Sequence, residues 1–392
     1  MVKSDLSVEV HSSSPSVASG VNASVWVEIH RENLLKNVGI VKQLAGPGTA
    51  IAAVVKANAY GHGLEIVAST IAPHVNMFAV TRVQEALRLR ENGIETPVLI
   101  LGPVSGSELK TVVQTRSVIT ISSLEEAHFL NQEAEKINRS IAAHIKIDTG
   151  MGRLGLSFKS SVNDAIRIAK LPRLQIKGLY THFPSADELH STFTKMQVGR
   201  FAAMVAELRK KDMEAESIHL ANSSAIATLG AAGGSMVRPG IMLYGALPSG
   251  LQRFIKKFGI KPVLSWRAKA ILLKELDKGE TCGYAQAFKA KHKTRIAWLP
   301  VGYSHGYPFS LSSRAQVLIK GKRYPVVGRI SMDFLAVDVG LKSNIRLGDT
   351  VTLIGKDGED EITVFELAEW AGTIPYEILT GIHPSLPRKA LP

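Results

Sequence analysis

Between residues 50 and 245 the apolar positions fall into short β-branched runs, and the stretches between them carry helical periodicity. That alternation predicts a parallel sheet whose strands are joined by crossover helices. The runs are AIAAVVKA at 50–57, MFAVTR at 77–82, PVLILG at 97–102, SVITIS at 117–122, AAHIKID at 142–148, IKGLYTHF at 176–183, SIHLAN at 217–222 and MVRPGIMLYG at 236–245. Eight parallel strands predict a closed (β/α)8 TIM-like barrel. An open doubly wound sheet would need a nucleotide-type glycine loop after its first strand, and that strand ends instead in Lys56. Beyond about residue 260, strands follow one another without intervening helices, as in VLSWRAKAILLKEL, RIAWLPVGY and DTVTLIG, with Gly- and Asp-containing turns between them. The expected organisation is a flexible tail over 1–24, an α/β barrel over 25–260 and a mostly β domain over 261–392.

Composition narrows the function classes. The chain has 392 residues, 45% hydrophobic and 21% charged, which excludes disorder and fibrous repeats as the main architecture. Its apolar runs fall far short of the roughly 18 residues that span a bilayer, so no membrane partner is expected. The single cysteine, Cys282, excludes an intrachain disulfide and multi-thiolate metal sites; it fits a reducing, cytoplasmic setting, and no metal is expected. A net charge of +13 raises the question of nucleic acid. Outside RFIKKFGIK (253–261) and KAKHKTR (289–295), however, the basic residues are scattered and no stacking aromatics interleave them. A solvated basic face is the expectation, with no nucleic-acid partner.

Candidate chemistry gathers at the C-terminal ends of the predicted barrel strands, the end at which such barrels build active sites. Lys56 stands there, as do Lys146 and Asp148, His182, Asn222 and Ser223, and Arg238. A lysine flanked by apolar strand residues is poorly solvated, which favours its neutral form and suits it to act as a base or Schiff-base nucleophile. Ser223 and Ser224, with the backbone of Gly240 and Ile241, offer hydroxyls and N–H groups to a phosphate, and Tyr60 adds a phenolic donor. A reactive lysine beside a phosphate site points to pyridoxal phosphate, an electron sink. Each residue also has a bland reading when taken singly: a snorkelling lysine, an arginine in a barrel ion pair, satisfied core histidines.

At AVVKANAYGHG, KIDTGMGRLG, THFPSADE, HLANSSA, MVRPGIMLYG, GYAQAF, LPVGYSHGY and VGRISMD the sequence resembles the alanine racemase family, over roughly residues 24 to 390. The resemblance implies a pyridoxal-phosphate enzyme that interconverts L- and D-alanine for peptidoglycan, working as a head-to-tail homodimer. It assigns Lys56 as the cofactor lysine and first base, and Tyr284 as the second base, delivered from the partner. Arg238 would face the pyridine nitrogen, and Tyr60, His182, Asn222, Ser223, Gly240 and Ile241 would hold the cofactor. Arg153 would contact the substrate carboxylate, with Met332 and Asp333 lining that site from the second subunit. Lys146 matches a lysine often carbamylated in the family, and Asp187, Tyr303, Arg329, Ile382 and Pro384 match an access corridor.

Two positions depart from the family pattern. Pro384 stands where many members carry a tyrosine guarding the entrance, which leaves a broader alanine/serine racemase as the alternative. His305 replaces a usual acidic residue in GYSHG, which predicts activity that depends on pH between about 6 and 7. An amino-acid decarboxylase of the same two-domain plan would be expected to pair a cysteine with an aspartate in the second domain. A regulatory protein without turnover would be expected to lack Tyr284.

Overall fold

The computed structural model describes residues 23–392; nearly all of the expected N-terminal tail lies outside these residues. The eight parallel strands are β1 (Ala50–Val54), β2 (Met77–Val80), β3 (Val98–Ile100), β4 (Ile119–Ile121), β5 (Ile141–Asp148), β6 (Leu174–Tyr180), β7 (Ser217–Asn222) and β8 (Met236–Arg238). They are ordered β3-β2-β1-β8-β7-β6-β5-β4. A parallel bridge from Leu99 to Val118 joins β3 to β4. The Ile100 and Val118 amides donate across that seam to the Val118 and Val98 carbonyls, each at 2.8 Å. The ring is thereby closed.

Helices pack around the ring, and the strands are buried on both faces, which is why they read as unbroken apolar runs. Each wholly buried valine or isoleucine contributes about 1.5–3 kcal/mol over leaving it in water. The eighth strand is shorter than its sequence run suggests. Pro239 offers no N–H to a ladder, and after Gly240 the chain turns into the 3-10 segment Ile241–Tyr244.

The second domain is a largely antiparallel sheet containing, in spatial order, Leu272–Leu276, Thr294–Leu299, Leu335–Asp338, Lys322–Val327, Gln316–Ile319, Thr350–Asp357 and Leu264–Lys269. Next to the last of these lies Val25–His30, paired antiparallel with it and parallel with Arg388–Leu391. This corrects the boundary drawn at residue 25. The N-terminal strand crosses to the second domain because its apolar residues Val25, Val27 and Ile29 find a sheet edge there, while the closed barrel has none to offer. The helix Val364–Ala371 begins where TVFE predicts a capping box: Thr363 Oγ1 accepts from the Glu366 amide and the Glu366 carboxylate accepts from the Thr363 amide.

Candidate active site

Lys56 opens a backbone turn of unusual hand. The next four residues, Ala57, Asn58, Ala59 and Tyr60, all have φ between 52° and 55°. For residues with a Cβ this left-handed conformation costs roughly 1–2 kcal/mol each, so it persists only where the surroundings over-determine it. The Ala59, Gly61 and Gly63 amides donate to the Val55, Ala57 and Asn58 carbonyls. Asn58 Oδ1 caps the helix Leu64–Ile71 at the Leu64 amide, and Glu85 Oε1 accepts from the Ala57 amide at 2.7 Å. Burial, followed by the charge of Arg153, holds the Lys56 amine below the ordinary lysine range, with Glu85 opposing.

Tyr60 lies beside β8, its ring stacked on Tyr244 at 4.9 Å. A Cβ on Gly240 would come within 2.5 Å of the Tyr60 hydroxyl, so only glycine lets the phenol lie against that backbone. Ser223 Oγ accepts from the Gly240 amide at 2.8 Å and the Met242 amide at 3.3 Å. Asn222 Oδ1 caps the helix Ser223–Leu229 by accepting from the Ala225 amide. Hydroxyls and N–H groups therefore converge where the sequence places the phosphate.

Arg238 is buried. Its terminal nitrogens donate to the carbonyls of Thr181, His219 and Leu220 and face the ring nitrogens of His219 and His182. Its Nε has no acceptor among the described residues. Burial lowers the guanidinium to about 10, still fully protonated at neutral pH. The imidazole of His219 stacks on Tyr180 at 4.7 Å and meets His144 Nδ1 at 2.9 Å. Burial, then Arg238, keeps both His182 and His219 well below the usual histidine range, so both are neutral.

Lys146 lies behind this group, buried and 5.7 Å from the centre of the Tyr180 ring. Burial, followed by Arg153 and Arg238, pushes its amine down to about 8. Asp148 organises the next loop by accepting from the Gly150, Met151, Gly152 and Arg153 amides. Burial pushes this carboxyl up, but the four N–H donors prevail and hold it below its ordinary value. The charge of Arg153 thus adds to the lowering of both Lys56 and Lys146 at the barrel mouth, and Arg238 and Lys56 lower Lys146 further, with few anions to offset them. Such a site suits a ligand carrying a phosphate and a carboxylate.

A cavity of about 740 Å³ opens over this mouth, lined by Arg153, His182, Asp187, Asn222, Ser224 and Tyr376 among others. Tyr284 is elsewhere, 71% exposed on the second domain. It lines a hollow of about 540 Å³ with Ile271, Leu272, Trp298, Arg329 and Phe334. Tyr303, Met332 and Asp333 lie on this same domain, where Ser304 Oγ joins the Met332 carbonyl to the Asp333 carboxylate. Ile382 is buried in the core and lines neither hollow; Pro384 is exposed. A further cavity of about 870 Å³, between the barrel and the second domain, contains none of the predicted site residues.

Sequence reasoning passed over His144, Tyr180 and Tyr376. His144 was legible, since HIK places it two residues before Lys146 on one face of β5. Tyr376 carries no such signal, because only the fold brings it to the barrel mouth.

The fold and the site define a two-domain barrel enzyme with a desolvated lysine at the barrel mouth. Residues 29–248 match the alanine racemase N-terminal domain and residues 263–390 the alanine racemase C-terminal domain. Alanine racemase from Geobacter sulfurreducens is 40% identical over 366 residues, covering 92% of this chain and 95% of that protein. The one from Halothermothrix orenii is 38% identical over 370 residues, covering 94% and 97%. Among solved structures, alanine racemase from Bacillus anthracis with bound L-Ala-P superposes with a TM-score of 0.89 at 32% identity, covering 95% of this chain and 96% of that one. Clostridium difficile alanine racemase gives 0.89 at 33%, covering 95% and 97%. The chain belongs to the alanine racemase family, pyridoxal-phosphate-dependent isomerases. These relatives are all named for alanine, and the broader alanine/serine alternative is not favoured.

Proposed function

We propose that this chain interconverts L- and D-alanine by two bases, Lys56 and Tyr284, with Tyr284 supplied by a second copy in a head-to-tail dimer. The observation that carries this reading is the separation of the two bases: Lys56 lies in the barrel mouth, whereas Tyr284 stands exposed among apolar residues on the other domain. Racemisation takes a proton from one face of the α-carbon and returns one to the other, so an acid/base on each face suffices and neither group has to swing round.

The residues present fit pyridoxal phosphate. Ser223, the Gly240 and Ile241 backbone and the Tyr60 hydroxyl would hold its phosphate, Lys56 would hold its aldehyde carbon, and the free Nε–H of Arg238 would face its ring nitrogen. When bound, it supplies the electron sink that makes the α-proton acidic. Arg238 keeps its own proton and therefore offers a hydrogen bond rather than a charge-neutralising proton transfer, which keeps that sink moderate.

Arg153 binds the substrate carboxylate, and Asp148 holds its loop in place through the backbone. An amine near 8 in Lys146 is partly neutral at physiological pH, the form that takes up carbon dioxide; the resulting carbamate would set an anion beside Arg153. Lys56, with its lowered pKa, abstracts or returns the proton of the D-enantiomer, and Tyr284 that of the L-enantiomer. Met332 and Asp333 would line the carboxylate end from the partner, and Asp187, Tyr303, Arg329 and Pro384 the approach.

We place the reaction in the cytoplasm as a source of D-alanine for peptidoglycan, in keeping with one half-buried cysteine and no helix among the described residues long and apolar enough to cross a membrane. The test is to incubate the cofactor-loaded protein with L- or D-alanine in deuterium oxide. Exchange of the α-proton together with loss of chirality is expected from both; exchange without racemisation would overturn the two-base reading.

A further inference from the structure

The C-terminal strand carries an arginine that reaches across to the cofactor-lysine turn. Arg388 Nε and one terminal nitrogen donate to the Gly61 carbonyl at 3.0 and 2.9 Å. The remaining donors go to the carbonyls of Ile382, His383, Pro384 and Leu386. One planar fork thus ties the end of the left-handed turn to the whole of the segment 382–386. The packing is correspondingly close: a Cβ on Gly61 would overlap the Leu379 carbonyl, and one on Gly63 would lie 3.1 Å from Arg388 Cδ.

The strained turn needs such a clamp. Its own backbone bonds run from the Ala59, Gly61, His62 and Gly63 amides, and His62 Nδ1 meets the Tyr60 carbonyl. Asn58 and Glu85 secure its first half, and among the described residues Arg388 is the charged side chain that ties the Gly61 carbonyl to a remote segment. We infer that Arg388 is a positioning residue for Lys56, locking the turn at 57–61 to the segment at 382–386 so that the two open as one unit. A lysine at 388 would keep the charge but could not fork between Gly61 and the four other carbonyls. The catalytic consequence rests on Lys56 being the cofactor lysine; the structural coupling does not.

Amide hydrogen exchange on the full-length, cofactor-loaded chain tests this. In the unsubstituted protein the Gly61, Gly63 and Leu386 amides should share one opening equilibrium and one denaturant dependence, agreeing within about threefold. In Arg388→Lys, Gly61 and Gly63 should exchange at least about tenfold faster while the strand Thr350–Asp357 is unchanged, and kcat should fall about tenfold with KM for alanine nearly constant. The inference is overturned if Gly61 and Gly63 stay equally protected in Arg388→Lys. It is also overturned if Leu386 opens more than about a hundredfold faster than Gly61 in the unsubstituted protein, a comparison that needs no variant to fold. Failure of Lys56 to bond pyridoxal phosphate would instead overturn the assignment of the cofactor lysine, and the exchange data would still decide the role of Arg388.

Discussion

Around Lys56 the surroundings are completed within one chain: Arg238 and Ser223 are buried, Asp148 holds its loop, and the left-handed turn is fastened at both ends. Around Tyr284 they are not. Its neighbours Leu272 and Phe334 are 50% and 44% exposed, Met332 is 55% exposed, and the tyrosine itself makes no side-chain hydrogen bond among the described residues. An exposed apolar surface around a tyrosine hydroxyl that has no partner among the described residues is of the kind an interface uses. The contrast teaches that the surroundings of Lys56 are preorganised by folding, and we propose that one half of the chemistry is done there and that the other half is organised by association.

The largest effect that would sharpen this contrast is at the bases. Lys56→Ala should abolish α-proton exchange from both enantiomers, whereas Tyr284→Phe should leave cofactor binding intact and slow exchange from L-alanine by roughly 10²–10⁴-fold. The measurement is deuterium incorporation from each enantiomer taken separately. Next comes the apolar surface. Phe334→Asp should shift sedimentation from dimer to monomer and reduce racemisation about a hundredfold at low protein concentration, while pyridoxal phosphate still loads onto Lys56. A dimeric, fully active Phe334→Asp protein would break the comparison.

On the buried side, Lys146 tests whether the mouth acquires an anion. With its amine at about 8, the reactive neutral form increases as pH rises from 7 to 9, so a carbamate carbon signal from ¹³C-bicarbonate should grow over that range and vanish in Lys146→Ala. The smallest effect is expected at His305. Its Nδ1 accepts from the Gly302 amide and closes the turn that bears Tyr303. Burial keeps this imidazole below the ordinary histidine value, against the opposing pull of Asp333, while His383 adds to the lowering. Protonation removes the acceptor, so turnover should fall severalfold as pH drops through a range below the ordinary histidine value, lower than the window between about 6 and 7 that the sequence suggests. His305→Asp, which accepts throughout that range, should flatten the acid limb of the pH profile.

The barrel was legible because strands buried on both faces leave unbroken β-branched runs, and because Lys56, Lys146, His182 and Asn222 fall at or near the ends of those runs, with Arg238 within the last. The hand of the turn after Lys56 was not legible. KANAY contains no glycine, and the carbonyl clamp that steadies it comes from Arg388, more than three hundred residues away. The membership of Val25–His30 in the second domain was hidden for the same reason, since both of its partner strands are remote in sequence. Ile382 read as a corridor residue from its motif, yet folding buries it beneath the loop at Gly61.

Mixing Lys56→Ala chains with Tyr284→Phe chains tests most directly the claim that the site is shared between two copies. Each mixed dimer would hold one site with both bases intact and one with neither. Random exchange of subunits should therefore restore roughly a quarter of the unsubstituted activity from two nearly inactive proteins. If mixed dimers form and no activity returns, Lys56 and Tyr284 act within one chain and the account is wrong.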